Sequence, residues 1–254
     1  MKNVIPVWKP VGWTPLKAVV EHKKKDSELS KLKISYAGRL DPMAEGILIL
    51  LIGNENKKRH EYEDLEKMYE SEIILGISTD SYDGLGIIEK TVQEKVAKKE
   101  IEKQLETFSG KQKQKYPPYS SKAVKGKPLY WWARNKKLDE IEIPERDIEI
   151  YSIKLLNYEN IRASDLVKNI IEKVKLIEGD FRQEEVISNW KNFEKENKDN
   201  QFIKIKIKVS ASSGTYVRGI ASDLGDRLRS KAFAFSITRT KVGKFEKEDC
   251  VDYF

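Results

Sequence analysis

Between Phe202 and Ala211 the chain alternates without a break, with Ile203, Ile205, Ile207, Val209 and Ala211 separated by Lys204, Lys206, Lys208 and Ser210. Successive side chains of a strand point to opposite sides, so this pattern predicts a half-buried strand with one apolar face. The run "ILILLIG" at 47–53 is apolar throughout. It predicts a fully buried strand and is too short to span a membrane. "VIPVWKPVG", ending in a turn at Pro10 and Gly12, residues 69–77, "DIEIYSIKLL" and "FSITRTKVGKF" also read as strands.

Helical spacing marks other stretches. Thr14 as N-cap and Pro15 at the first helical position open a helix, with the apolar Leu16, Val19 and Val20 sharing one face. Residues 97–109 place Ala97, Ile101, Leu105 and Phe108 on one face, with Gly110 as the stop. In "KQKQKYPPYSSKAVKGKPLYWWARNKK" the first part predicts a loop and "LYWWAR" a short helix. From about 160 to 198, Ala163, Leu166, Val167, Ile170, Ile171, Val174 and Ile177 recur at three and four. Gly179 stops that helix, and Val186, Ile187, Trp190 and Phe193 mark another, which predicts a helical hairpin inserted into a sheet. "SSGTYVRGIASDLGDRL" runs from strand into helix, with Ile220, Ala221, Leu224 and Leu228 inward. The whole predicts a single mixed α/β (α+β) domain over residues 1–254, with a largely antiparallel central sheet flanked by helices and loops.

Composition narrows the chemistry. The 254 residues carry a formal charge of +7, with a pI near 9.1. Such a balance suits a polyanionic partner, and equally a lysine-rich solvated surface. Cys250 is the only cysteine, so an intramolecular disulfide is excluded. Only His22 and His60 offer imidazoles, so no Cys/His cluster stands at metal-ligand spacing and neither metal nor cofactor is expected. The N-terminus shows no leader pattern, which predicts a cytoplasmic protein without membrane association. No glycine-rich phosphate loop and no serine elbow is present.

Three constellations remain. Asp41 sits in "AGRLDPMAEG", beside Gly38 and Gly46 and just before the buried strand. Asp-Pro often serves only as a turn, but here the loop is anchored in rigid structure. Arg218 falls in the first turns of a helix whose other face is apolar, so it points either to solvent or at a carboxylate or phosphate. Tyr69 and the aromatics Tyr116, Tyr119 and Tyr130, interleaved with cations, suit stacking of unpaired bases, or simply core packing.

Taken together these stretches resemble the TruB family of tRNA pseudouridine synthases. "KPVGWT", beginning at Lys9, is similar to its N-terminal motif and "YAGRLDPMAEGILILLIG" to its catalytic block. "TDSYDGLG", "YPPYSSKAVKGKPLYWWAR" and "SSGTYVRGIASDLG" follow in the family's order. The resemblance implies the pseudouridine synthase fold and a tRNA partner, with isomerisation of a T-loop uridine, at position 55, as the reaction. It also implies that Asp41 is the catalytic carboxylate, by an adduct to sugar or base or by way of a glycal. Arg218 would pair with Asp41, Tyr69 would stack on the flipped base, and Tyr216 would line the same pocket, with Lys9 a further substrate-binding position.

The sequence also departs from the family. Tyr36 stands where the family has a histidine, so it can stack and hydrogen-bond but carries no charge near neutral pH. Arg39 replaces a small residue and suits either a contact to the target nucleotide's phosphate or a pair with a structural acid. The family's lysine position after "YSS" holds Ala123, with Lys122 one place earlier, so that lysine's role is not carried over. No C-terminal PUA domain is expected after the last strand, and the helical insertion at about 160–198 lies outside the usual core. A monomer is expected. The rival readings are a synthase acting on another structured RNA and a noncatalytic RNA-binding or RNA-folding protein.

Overall fold

A computed structural model describes residues 3–25, 27–92 and 95–251. Met1, Lys2 and residues 252–254, on which the reading of the chain's ends partly rests, lie outside them. The chain begins with β1 (Val4–Lys9), α1 (Pro15–Lys24), α2 (Ser27–Lys31), β2 (Ile34–Ala37) and β3 (Ala44–Ile52), then α3 (Arg59–Glu63) and β4 (Lys67–Leu75). A small ribbon of β5 (Ile77–Thr79) and β6 (Ile88–Thr91) precedes α4 (Lys98–Glu106) and β7 (Gly110–Lys115). The two-residue strands β8 (Ala123–Val124) and β9 (Lys127–Pro128) lead into α5 (Leu129–Arg134). β10 (Glu145–Arg162), α6 (Ala163–Lys175), α7 (Gln183–Asn197), β11 (Gln201–Ala211), α8 (Val217–Arg227) and β12 (Ala232–Val242) complete the fold.

One sheet organises these elements, in the order β1-β3-β12-β4-β11-β10-β7, with β2 also on β3. Its pairings are antiparallel except that of β12 with β3, which is parallel over Ile237–Arg239 and Ala44–Gly46. This is the predicted mixed class with a mostly antiparallel sheet. Alternation sends Ile205, Ile207 and Val209 to one face, where Ile101 and Leu105 of α4 and Ile220 and Leu224 of α8 cover them. The other face is covered by the α6–α7 hairpin, whose Ile170, Val186 and Trp190 pack with Ile74, Phe202, Phe233 and Phe235.

Two local expectations are corrected. Residues 111–115 are not loop but part of the edge strand β7, paired with β10 from Glu145↔Lys115 to Ile150↔Gly110. Hydropathy hides this strand because its inward residue is polar: Gln114 is buried while Lys111, Lys113 and Lys115 are exposed. In α1 the cap is as predicted, with Thr14 Oγ1 accepting from the Lys17 amide at 3.1 Å. The buried face, however, is Ala18, Val19 and His22, while Leu16 and Val20 are turned outward at 64% and 42% exposure. Ala18 and Val19 pack on Val7, Leu48 and Leu50, so the small Ala18, rather than the larger leucine, meets the sheet.

Where β3 meets β12 the strands leave no room for a side chain. Gly46 has φ +118°, and a Cβ there would lie 2.3 Å from the Arg239 carbonyl oxygen. Gly46→Ala is therefore expected to destabilise the fold by about 3 kcal/mol or more, from strain and forced separation of the strands. Urea denaturation measures this, and an unchanged midpoint would show that the two strands part freely.

Candidate active site

Asp41 lies in the tight loop between β2 and β3, and several groups hold that loop by its carbonyls. Gly12 N–H donates to the Pro42 carbonyl at 2.8 Å. Lys9 Nζ donates to the Ala44 carbonyl at the loop's end at 2.6 Å and, in the turn between β1 and α1, to the carbonyls of Trp13 at 2.8 Å and Pro10 at 2.9 Å. Arg239 donates from Nε to Ile47 at 2.7 Å and from its two terminal nitrogens to Arg39 at 3.0 Å and Gly38 at 3.3 Å. A loop with this many backbone oxygens seated on cations presents its carboxylate from a fixed frame.

Arg218, the second residue of α8, is 2% exposed. Its Nε donates to Asp41 Oδ2 at 2.7 Å, and its terminal nitrogens donate to the carbonyls of Ser81 at 2.6 Å and Tyr119 at 3.3 Å. Asp83 Oδ2 stands 3.7 Å from the same Nε. Burial works against the Arg218 charge, but the Asp41 and Asp83 carboxylates outweigh it and hold its proton above the ordinary guanidinium range. Burial pushes the Asp83 carboxyl up, against the pull of Arg218 and of the Ser81 hydroxyl, which donates to it at 2.6 Å.

Two connected clefts meet at Asp41 and Arg218. The first, of 360 Å³, is lined by Tyr69, Tyr216, Ile237, Lys67, Arg146 and Arg239. The second, of 580 Å³, is lined by Tyr36, Arg39, Tyr130, Arg134, Phe181 and Arg182. The structure thus brings Asp41, Arg218, Tyr69 and Tyr216 together in the first cleft and sets Tyr36 and Arg39 beside Asp41 in the second. Burial raises the phenols of Tyr69 and Tyr216, so both are hydrogen-bond donors at neutral pH. Arg39 is exposed at the mouth, and Tyr36 carries the Arg59 guanidinium 5.5 Å from its ring centre. Of the basic-loop tyrosines, Tyr119 lines both clefts and Tyr130 the second, while Tyr116 meets Tyr216 edge-on at 5.6 Å.

Lys9 requires a correction. It is 0% exposed, and its ammonium is spent on three carbonyls beneath the loop, so it shapes the site without reaching a substrate. Sequence reasoning also passed over Arg239, Lys67, Asp83 and Gln114. Arg239 is in phase with the buried Ile237 on β12, a misplaced charge that was the available signal. Lys67 donates to the Glu63 carbonyl at 2.6 Å and to that of Leu65, and burial lowers its ammonium to about 8. The Gln114 amide closes on both backbone groups of Tyr216, donating to its carbonyl at 2.9 Å and accepting from its N–H at 2.8 Å. Among the described residues no group of three or more His, Cys, Asp or Glu side chains is arranged to hold a metal ion. No helix among them is long and apolar enough to cross a membrane.

The family model described as "TruB family pseudouridylate synthase (N terminal domain)" matches residues 24–175. The chain belongs to the TruB family. It is 32% identical over 248 residues to the tRNA pseudouridine synthase B of Bacteroides fragilis, covering 96% of this chain and 88% of that protein. A second relative, the tRNA pseudouridine synthase B of Oceanobacillus iheyensis, is 30% identical over 255 residues, covering 100% of this chain and 69% of that protein. Among solved structures, a chain of the "Crystal Structure of a Cbf5-Nop10-Gar1 Complex" has the same fold, with a TM-score of 0.61 at 20% identity over 98% of this chain. The TruB-family chain spans about half the length of that one, 51%. Arg218 and Tyr216 lie beyond residues 24–175, the part that the family model matches, and their placement beside Asp41 is read from the geometry.

The cationic floor of the TruB-family site carries a pH signature. Burial pushes the Lys9 ammonium from 10.5 down to about 7, with the Asp41 carboxylate resisting. Between those values the unfolded chain keeps a proton that the folded chain releases, so this penalty is full below about pH 7 and fades as pH rises. Relative to Lys9→Met, the wild type should gain stability between pH 7 and 10 in denaturant titrations. A difference that stays flat over that range would refute the shift.

Proposed function

We propose that this chain is a tRNA pseudouridine synthase that isomerises a T-loop uridine, at position 55, acting as a cytoplasmic monomer built on one catalytic domain. The observation that carries the reading is the 2.7 Å contact between Arg218 Nε and Asp41 Oδ2 at the floor of a cleft lined by Tyr69 and Tyr216. The names of the bacterial relatives supply the substrate class.

The reaction exchanges one bond within one nucleotide. The N1–C1′ bond of uridine breaks, the base turns, C5 bonds to C1′, and the C5 proton leaves while N1 gains one. Atoms and charge balance without an external reactant. A carboxylate fixed in orientation by a guanidinium suits the nucleophile or base that this exchange needs. Arg218 leaves one Asp41 oxygen for the substrate, since its own bond is to Oδ2.

The glycosidic bond of a stacked loop is reached only when the nucleotide is turned out of the stack. Tyr69 is 7% exposed and directed to the cleft, where it suits the face of the flipped base, with Ile237 and Tyr216 as further walls. Arg39 at the mouth suits a phosphate, and Tyr36 offers an aromatic face in the adjoining cleft.

The test is pseudouridine formation on an unmodified tRNA transcript, mapped at nucleotide resolution. Wild-type protein should give product at one T-loop uridine, and Asp41→Asn should lose at least about 1,000-fold in rate while RNA binding persists. Arg218→Lys should lose about 100-fold, because one ammonium cannot span acceptors that Arg218 reaches with three nitrogens. Product confined to a different RNA would favour the rival substrate, and retained biological effect in Asp41→Asn would favour the binding protein.

A further inference from the structure

The α6–α7 hairpin covers the sheet face opposite α4 and α8, yet its connecting turn comes back to the catalytic side. There Arg182 adopts φ +61°, a left-handed conformation that costs a non-glycine residue energy and persists only when its surroundings fix it. Its guanidinium grips Asp80 with two bonds, NH1 to Oδ2 at 2.8 Å and NH2 to Oδ1 at 3.1 Å. Both side chains are largely buried, at 16% and 22% exposure. The same guanidinium lies 4.4 Å from the centre of the Tyr119 ring, and the Tyr119 hydroxyl donates to Asp80 Oδ2 at 3.1 Å. Asp80 Oδ1 also accepts from the Ile87 N–H at 2.9 Å, closing the turn between β5 and β6.

These contacts join two segments that share no strand pairing, the 79–87 turn and the 116–121 loop. Each supplies one of the carbonyls on which Arg218 rests, Ser81 from the turn and Tyr119 from the loop. Resting on the proposed function, we infer that Arg182 is a positioning residue of the active site: by stapling Asp80 to Tyr119 it fixes both carbonyl seats of Arg218 and, through Arg218, the orientation of Asp41. The hairpin is then a working part of the site as well as a cover for the sheet. Its turn makes two further ties, Asp180 to Arg134 at 2.7 Å and Glu178 to Lys17 at 3.0 Å. Both involve strongly exposed partners and bear on neither seat of Arg218.

The test compares wild type, Arg182→Met, Arg182→Lys, Asp80→Asn, the Arg182→Met/Asp80→Asn double variant and Glu178→Gln. Single-turnover rates on a tRNA transcript are read beside RNA dissociation constants. Arg182→Met should slow turnover ten- to a hundredfold with affinity held within threefold, and Arg182→Lys should recover part of the rate. The double variant should be no slower than Arg182→Met, since both changes break one staple. Glu178→Gln should match wild type. A wild-type rate in Arg182→Met, additive losses in the double variant, a loss confined to affinity, or an equal loss in Glu178→Gln would each overturn the inference.

Crystal structures of wild type and Arg182→Met provide a readout independent of turnover. Loss of the Tyr119 or Ser81 contact to Arg218 in the variant supports the inference, and retention of both overturns it. A wild-type protein inactive on every tRNA would count against the proposed function, while the structural comparison would still decide the staple.

Discussion

A guanidinium taken out of water forfeits several kcal/mol of hydration, and the fold keeps it charged only by surrounding it with acceptors. Arg218 meets that demand with the Asp41 carboxylate and the carbonyls of Ser81 and Tyr119, with Asp83 close by. No single element could supply all of these. The β2–β3 loop, the turn between β5 and β6, the loop after β7 and the first turn of α8 converge because one buried cation requires them. The same convergence closes the cleft around the exposed side of Asp41, which is 35% accessible while its partner is 2%.

The sheet supplies the rigidity that the loop lacks. Lys9 on β1 pairs with Gly46 on β3, Gly46 with Arg239 on β12, and Arg239 with Tyr69 on β4. One row across four strands therefore carries two cations that hold the Asp41 loop, the glycine that lets their strands meet, and the tyrosine facing the cleft. Cations seated on carbonyls give up hydration for fixed geometry, and burial accordingly pushes the Lys9 and Lys67 ammonium groups down. A side chain on a surface loop ordinarily moves with the loop, and here three backbone oxygens around Asp41 are tied to the central strands.

What was legible in the sequence followed the periodic signals. The alternation of β11, the apolar run of β3 and the three-and-four spacing of α6 and α7 are packing patterns, and packing patterns survive in one dimension. Asp41, Tyr69, Arg218 and Tyr216 were found through motif order, and the geometry gathers them in one cleft. The misses share a different cause. Strand β7 buries Gln114, whose partner is the backbone of Tyr216, and hydropathy does not register an amide that replaces an apolar contact. Lys9 was placed among the substrate-binding positions through the motif that begins with it, and only burial reveals that its acceptors are carbonyls. Arg182 lies 102 positions from Asp80, within a stretch legible only as a helical hairpin.

The same distinction bears on the basic charge. A net charge of +7 suggests phosphate binding, but the cations fall into populations that composition cannot separate. Lys9, Lys67, Arg218 and Arg239 are buried and serve the interior. On the outer phase of β11, Lys204 reaches Glu72 and Glu159 at 3.2 and 2.9 Å, and Lys206 reaches Glu70 at 2.6 Å, so these lysines are offset by their neighbouring strands. Counterion release depends on the cations that meet phosphates, not on the total. Arg39, exposed and lining the cleft beside Asp41, belongs to neither population. In this fold, the cations near Asp41 are partly buried beneath its loop and partly exposed at the cleft, and burial divides the two.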